Sequence, residues 1–161
     1  MAVDMFIKIG SLTGEAQDKG HPGEIDVLAW SWGASNSGSA HTGGGSGSGK
    51  VNVQDLSFTK YIDKSTPDLM LSCCNGQHFD TATLVVRKAG TTPLEYLKIT
   101  MTEVLISSMS VGGSHGEDRL TENVTLNFGA VKVDYKEQTK TGGAGATPSM
   151  SWDIAANDKD G

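Results

Sequence analysis

Residues Lys50–Gly76, KVNVQDLSFTKYIDKSTPDLMLSCCNG, read as a strand running into the chain's only convincing helix. Val51 and Val53 alternate with polar residues, and so do Leu56 and Phe58, but the apolar phase slips by one between the pairs. That slip predicts a bulge near Gln54–Asp55. Ser65-Thr66-Pro67-Asp68 reads as a helix start, with Ser65 as cap, Pro67 tolerated in the first turn and Asp68 where a capping box places its acid. The helix is expected over 65–75 and stops at Asn75-Gly76. Everything else reads as strand or loop, so the chain is expected to be a mostly β domain with one short α-helix.

The strands bracket this stretch on both sides. Val3, Met5, Ile7 and Ile9 share one face of a first strand, with Phe6 out of place among the polar positions opposite. Ser11–Gly23 is a polar loop. Glu24–Gly33 is a second strand with two apolar faces: Ile25, Val27, Ala29 and Ser31 on one, Leu28, Trp30 and Trp32 on the other. An antiparallel sheet that meets water on one side has no use for both. With no second helical layer available, another copy of the chain is the simplest cover. Residues 34–49, ASNSGSAHTGGGSGSG, show no periodicity and are expected to form an extended flexible loop.

Beyond the helix, Ala82, Leu84 and Val86 mark another strand, and Leu94–Val111 a long one whose phase changes near Glu103. Glu117–Tyr135 reads as the last long strand, switching face at Gly129, and Met150, Trp152 and Ile154 as a short final one before the polar tail at 155–161. Long, bent strands in this number predict a single-domain β-barrel or two tightly packed sheets.

Charge narrows the partners. Thirteen basic against 19 acidic residues give a net charge of −6, without the basic stripe a nucleic-acid partner needs. No apolar run approaches membrane-spanning length, and MAVDMFIKIG lacks the layout of a secretory signal peptide, so any export is expected to take another route. Cys73 and Cys74 are adjacent and read as reduced thiols, at least one of them buried, with no metal or redox role.

The chemical motifs fail on context. Gly44 to Lys50 resembles a phosphate-binding loop, but Val51 stands where magnesium binding needs Ser or Thr. Gly112-Gly113-Ser114-His115-Gly116 matches the hydrolase nucleophile elbow, yet it joins two expected strands where that chemistry needs a strand-to-helix turn. The four histidines show no zinc spacing and read as solvated loop or edge residues. No cofactor and no enzymatic activity are expected. A hydrolase using Ser114 and His115 and a monomeric barrel binding a small ligand are the rival readings.

Four stretches carry a resemblance: MAVDMFIKIG at the start, EIDVLAWSWG at Glu24–Gly33, GKVNVQDLSFTKYIDKSTPDLM at Gly49–Met70 and GEDRLTENVTLNFG at Gly116–Gly129. Through them the chain resembles the haemolysin-coregulated protein (Hcp) family, the inner-tube proteins of the bacterial type VI secretion system. The resemblance implies a β-barrel of two sheets with a helix alongside and hexameric rings with a wide central hole. Those rings stack into a tube that a contractile sheath expels together with its spike proteins. It also implies effector proteins carried in the lumen, and a path from the bacterial cytoplasm to the outside without a signal peptide. On that frame Val27, Ala29 and Ser31 are the lumen candidates and Leu28, Trp30 and Trp32 the subunit-contact candidates. Gly43, Gly44, Gly45, Ser46 and Gly47 are the candidates for ring stacking. Alternation does not say which face of a strand points inward, so the Val27–Ser31 face is either lumen wall or barrel core.

Overall fold

The computed structural model of the chain describes residues 2–37, 50–141 and 145–159. Among these the elements run β1 (Val3–Ile9), β2 (Ile25–Asp26), β3 (Ala29–Ser31), β4 (Ala34–Asn36), β5 (Val51–Val53), β6 (Leu56–Tyr61), α1 (Thr66–Asn75), β7 (His78–Lys88), β8 (Leu94–Val111), β9 (Thr121–Asn127), β10 (Ala130–Tyr135) and β11 (Ser149–Asp153). The mostly β fold with one short helix is therefore as expected, and β8 has the bounds its alternation predicted.

All strands but β4 and β5 belong to one sheet, ordered β2-β1-β7-β8-β9-β6-β3, with β10 on β8 and β11 on β10. The two ends of that order, β2 and β3, are separated along the chain by Val27 and Leu28 alone. The Val27 N–H donates to the carbonyl of Met5 at 2.9 Å, and the Leu28 N–H donates to that of Thr59 at 2.8 Å. The chain thus changes partner from β1 to β6 within one residue. The single strand expected over Glu24–Gly33 is two short ones for this reason, and its faces do not stay in phase. Ile25 and Val27 enter the core, while Ala29 and Ser31 are exposed. The space enclosed is filled by side chains, with Ile7, Leu56, Leu84, Ile99, Met101 and Leu126 at most 2% exposed.

The other phase slips also mark changes of partner. At Gln54–Asp55 the chain leaves β5, which pairs only with β4 in a separate two-stranded arm, and enters β6. Residues Ala34–Asn36 are thus strand rather than loop, because β5 supplies their backbone with partners despite their lack of apolar periodicity. In β8 the bend falls at Glu103, whose φ is +54°. Before it β8 pairs with β10 and after it with β9, while β7 pairs on past the bend as far as Leu105. The expected strand over Glu117–Tyr135 divides at Phe128–Gly129 into β9 and β10, and the Gly129 N–H donates to the Thr102 carbonyl at 2.9 Å.

A strap formed by residues 11–24 covers the outer face of β1 and β7. Phe6 and Val85 are cross-strand partners on that face and are 4% and 5% exposed. The strap closes on itself through hydrogen bonds from the Gly14 N–H to the Gly23 carbonyl (2.8 Å) and from the Ala16 N–H to the Glu24 carbonyl (2.9 Å). A Cβ at Gly14 would lie 2.5 Å from the Glu24 carbonyl oxygen, so this approach requires glycine. Phe6 reads as misplaced in the sequence because its cover is a polar segment, not a second apolar layer.

The helix is anchored by buried charge. Lys60 on β6 and Glu122 on β9 both point inward, with side chains fully buried, and their charged ends are bonded directly to one another. Lys60 Nζ also donates to Asp63 Oδ1 at 2.9 Å, and the Thr66 hydroxyl donates to Glu122 Oε1 at 2.8 Å. Ser65 occupies the N-cap position but its hydroxyl makes no cap bond; it donates to Asp63 instead. The expected capping role thus passes to a cluster that ties the first turn to β6 and β9. At the other end Gly76, at φ +69°, donates its N–H to the Ser72 carbonyl, the left-handed stop expected at Asn75-Gly76. Leu69 is fully buried and Cys73 half-buried against the core, while Cys74 is exposed; both thiols are free.

Removing one member of a buried ion pair strands the other in a dry site, at a cost of about 3–5 kcal/mol. Lys60→Met is expected to lower unfolding stability by about that much in urea titration, and Lys60→Met with Glu122→Leu to recover most of the loss. A Lys60→Met chain as stable as the parent would show that the cluster does not hold the fold.

Candidate functional site: an uncharged sheet face

Strands β3, β6, β9 and β8 lie side by side, and their registers line up the outward residues in rows. Ala29 pairs with Thr59, Thr59 with Asn123 and Asn123 with Ser110. The next outward row is Ser31, Ser57, Thr125 and Ser108. The row between them points inward and is apolar: Trp30, Phe58, Val124 and Met109. In a chain with 20% charged residues, two consecutive rows across four strands carry no charge. They present small hydroxyl and amide groups at exposed or half-buried positions. Lys60 and Glu122, the charges nearest these rows in sequence, lie on the opposite face of the same strands and neutralise each other there.

The polar groups of this face bind one another sideways. The Thr59 hydroxyl donates to Asn123 Oδ1 at 2.7 Å. Ser108 and Thr125 share a hydroxyl–hydroxyl bond, and Ser107, in the irregularity of β8 between Ile106 and Ser108, bonds Thr125 at 2.9 Å. Asp55 closes this end of the rows, accepting from Ser107 Oγ at 2.6 Å and from Asn127 Nδ2 at 2.9 Å. Where hydroxyls and amides of this face bond one another, as at Thr59–Asn123 and Ser107–Thr125–Ser108, they leave fewer strong bonds for another protein to make, and the two rows offer no ionic grip.

The residues singled out in the sequence fall into separate environments. Ala29 and Ser31 stand on the uncharged face; Val27 is in the core at 6% exposure, so it cannot line a lumen. Trp30 and Trp32 are half-buried against the chain's own core, Trp32 lying 6.2 Å from Phe128 between ring centroids and donating its Nε1–H to the Gln54 carbonyl at 2.9 Å. Their apolar character is thus largely accounted for within one chain, whereas Leu28 is 39% exposed. Gly43, Gly44, Gly45, Ser46 and Gly47 lie outside the described residues. Ser114 and His115 are exposed in the connection from β8 to β9, so no helix follows the motif.

One hollow elsewhere on the chain is almost wholly apolar. A groove of about 350 Å³ between the β4–β5 arm and the β10–β11 edge is lined by Trp32, Val51, Val53, Val131, Met150 and Trp152, with no acid, base or nucleophile among them. Among the described residues no group of three His, Cys, Asp or Glu is placed to hold a metal ion, and no helix is long and apolar enough to cross a membrane. His21 is the histidine that departs from the expectation of solvated rings. It is 7% exposed and bonded through both nitrogens. The out-of-phase Phe6, on which it stacks, was the available signal.

The chain matches, over residues 6–135, the family described as type VI secretion system effector, Hcp. It belongs to the Hcp family, secreted structural proteins of the type VI secretion system. More particularly, it is 64% identical to Protein hcp1 of Pseudomonas aeruginosa over 159 residues, 98% of each chain. The crystal structure of Hcp1 from Salmonella typhimurium matches at 38% identity and a TM-score of 0.81 over 99% of both chains. A solved type six secretion system protein matches at a TM-score of 0.93 and 29% identity over 99% of this chain and 100% of that one.

Because Asp55 holds both the irregular Ser107 and the end of β9, Asp55→Ala is expected to cost about 1–2 kcal/mol in urea unfolding. It should also speed amide exchange in the Ser107–Val111 stretch while leaving β1 and β7 protected. Unchanged exchange there would mean that the sheet face holds its shape without Asp55.

Proposed function

We propose that the chain is a tube subunit whose copies close into hexameric rings and stack, with the β3–β6–β9–β8 face turned to the central hole. The two registered rows, Ala29 to Ser110 and Ser31 to Ser108, carry this reading. A channel that must hold different effector proteins and then release them needs a wall that is wettable but neither charged nor greasy. Charged walls grip by ion pairs that strengthen away from bulk water, and apolar walls grip by area. Small uncharged hydroxyl and amide groups, several of them bonded to one another, do neither. In this reading the rings sit in the cytoplasm inside a contractile sheath, tipped by spike proteins, and leave the cell when the sheath contracts. The chain acts as carrier and structural element rather than enzyme. Ala29 and Ser31 remain as wall residues, Val27 is dropped, and Leu28 is the subunit-contact candidate with free surface.

Ser31→Arg and Asn123→Arg place a long cation on the wall at positions already exposed. Both variants are expected to keep the parent's melting temperature and its ring mass in native mass spectrometry. Both are expected to lose co-purifying effector proteins by tenfold or more, through blocked space and an introduced charge. Intact rings with unchanged effector content would overturn the assignment of this face to the lumen.

A further inference from the structure

The 11–24 strap is fastened at one point that depends on a proton. His21 is 7% exposed and stacks on Phe6, with ring centroids 4.5 Å apart and planes 13° from parallel. Its Nδ1 lies 2.8 Å from Glu24 Oε2 on the strap, and its Nε2 lies 2.7 Å from Glu95 Oε1 on β8. A neutral imidazole has one N–H and one lone pair, so it can satisfy only one of these carboxylates. The other contact then sets lone pair against lone pair. Only the imidazolium, with two N–H groups, fits both. Glu95 is half exposed and is therefore the partner that water can replace.

We infer that His21 is a proton-operated clasp: as the imidazolium it fastens the strap to β8, and on losing its proton it gives up the β8 contact and loosens the His21 end of the strap, while Asp18 stays tied to Arg87 on β7. This inference stands apart from the reading of the uncharged face, since it concerns the half of the sheet formed by β1 and β7.

The surrounding charges are consistent with it. On the strap, Asp18 accepts the guanidinium of Arg87 from β7, and Asp4 on β1 shares that guanidinium. The same guanidinium lies 5.0 Å from the Phe6 ring centroid. Arg87 is thus neutralised by two carboxylates, leaving Glu24 and Glu95 to act on His21. Burial pulls the imidazole pKa down, and the hydrogen bonds and charges of Glu24 and Glu95 outweigh it, so the folded-state value is raised. A raised value means that the clasp contributes fully below the unfolded pKa of about 6.5 and is lost as pH rises through the folded value. The device is therefore closed in acid and opened by alkali, the reverse of a histidine buried neutral.

Two measurements on the native chain test it. Imidazole nitrogen NMR at neutral pH is expected to show both His21 nitrogens protonated. Amide exchange, expressed as protection relative to intrinsic rates, should show Gly14, Ala16 and Gly23 losing up to tenfold protection per pH unit from about pH 6.5 up to the folded pKa and levelling off above it, while β7 and β8 amides stay constant. Glu95→Gln, which leaves the ring in place, should lower the His21 pKa and bring strap opening to lower pH. An unprotonated His21 nitrogen at neutral pH, or strap protection flat with pH in the native chain, would overturn the clasp.

Discussion

The direct bond between Lys60 and Glu122 is the interaction on which the other features depend. The strands that carry these residues, β6 and β9, are also the middle of the uncharged face. Alternation gives a residue two choices, inward or outward, and here both charges take the inward one. Desolvating a lysine and a glutamate is expensive, and such a pair adds little net stability over an apolar replacement. Its value lies in position. Asp63 and Thr66 complete the ligation, so the same cluster fixes the first turn of α1 against the sheet. Glu122 Oε2 remains without a protein partner, which leaves the cluster under-satisfied by one acceptor. Outward placement of either residue would have put charge into rows that otherwise carry none.

The sheet is treated differently on its two halves. Over β1 and β7 the outer face bears Phe6 and Val85, and the chain spends the whole 11–24 strap in covering them. Over β3, β6, β9 and the second half of β8 the outer face bears serine, threonine, alanine and asparagine, bounded at one end by Tyr61, whose ring Arg119 overlies at 3.7 Å. The bend at Glu103 separates the two regimes by handing β8 from β10 to β9. A wet face on an antiparallel sheet is ordinary. A wet face across four strands with two successive rows free of charge is not what solubility alone selects, since exposed strands are normally studded with lysine and glutamate.

How far the sequence revealed this follows from what each element required. The β8 bounds were legible because apolar alternation there is strong and local. The slip at Gln54–Asp55 and the switch at Gly129 were visible as breaks of phase, but their cause, a change of partner strand, depends on residues far along the chain. Glu24–Gly33 misled for the same reason: two short strands with different partners superimpose their faces and look like one strand that is apolar on both sides. The strap was illegible because its cover is polar and depends on His21 reaching Glu95, 74 positions away. Lys60 and Glu122 were legible in principle. Lys60 continues the Leu56, Phe58 phase and Glu122 begins the Val124, Leu126 phase, so opposite charges at core positions of two strands called for each other.

The arrangement of the uncharged face then follows from that pairing. If Lys60 and Glu122 face in, then Thr59, Tyr61, Thr121 and Asn123 must face out, because neighbours along a strand cannot share a face. Ser57 and Thr125 follow at the next outward step, and the register brings Ala29, Ser31, Ser108 and Ser110 alongside them. The hydroxyl rows and the buried ion pair are therefore one constraint seen from two sides. A one-residue slip of β6 against its neighbours would bring Lys60 to the surface and bury Thr59, exchanging a matched salt bridge for an unmatched hydroxyl. The cluster thus sets the register, and the register sets the chemistry of the face.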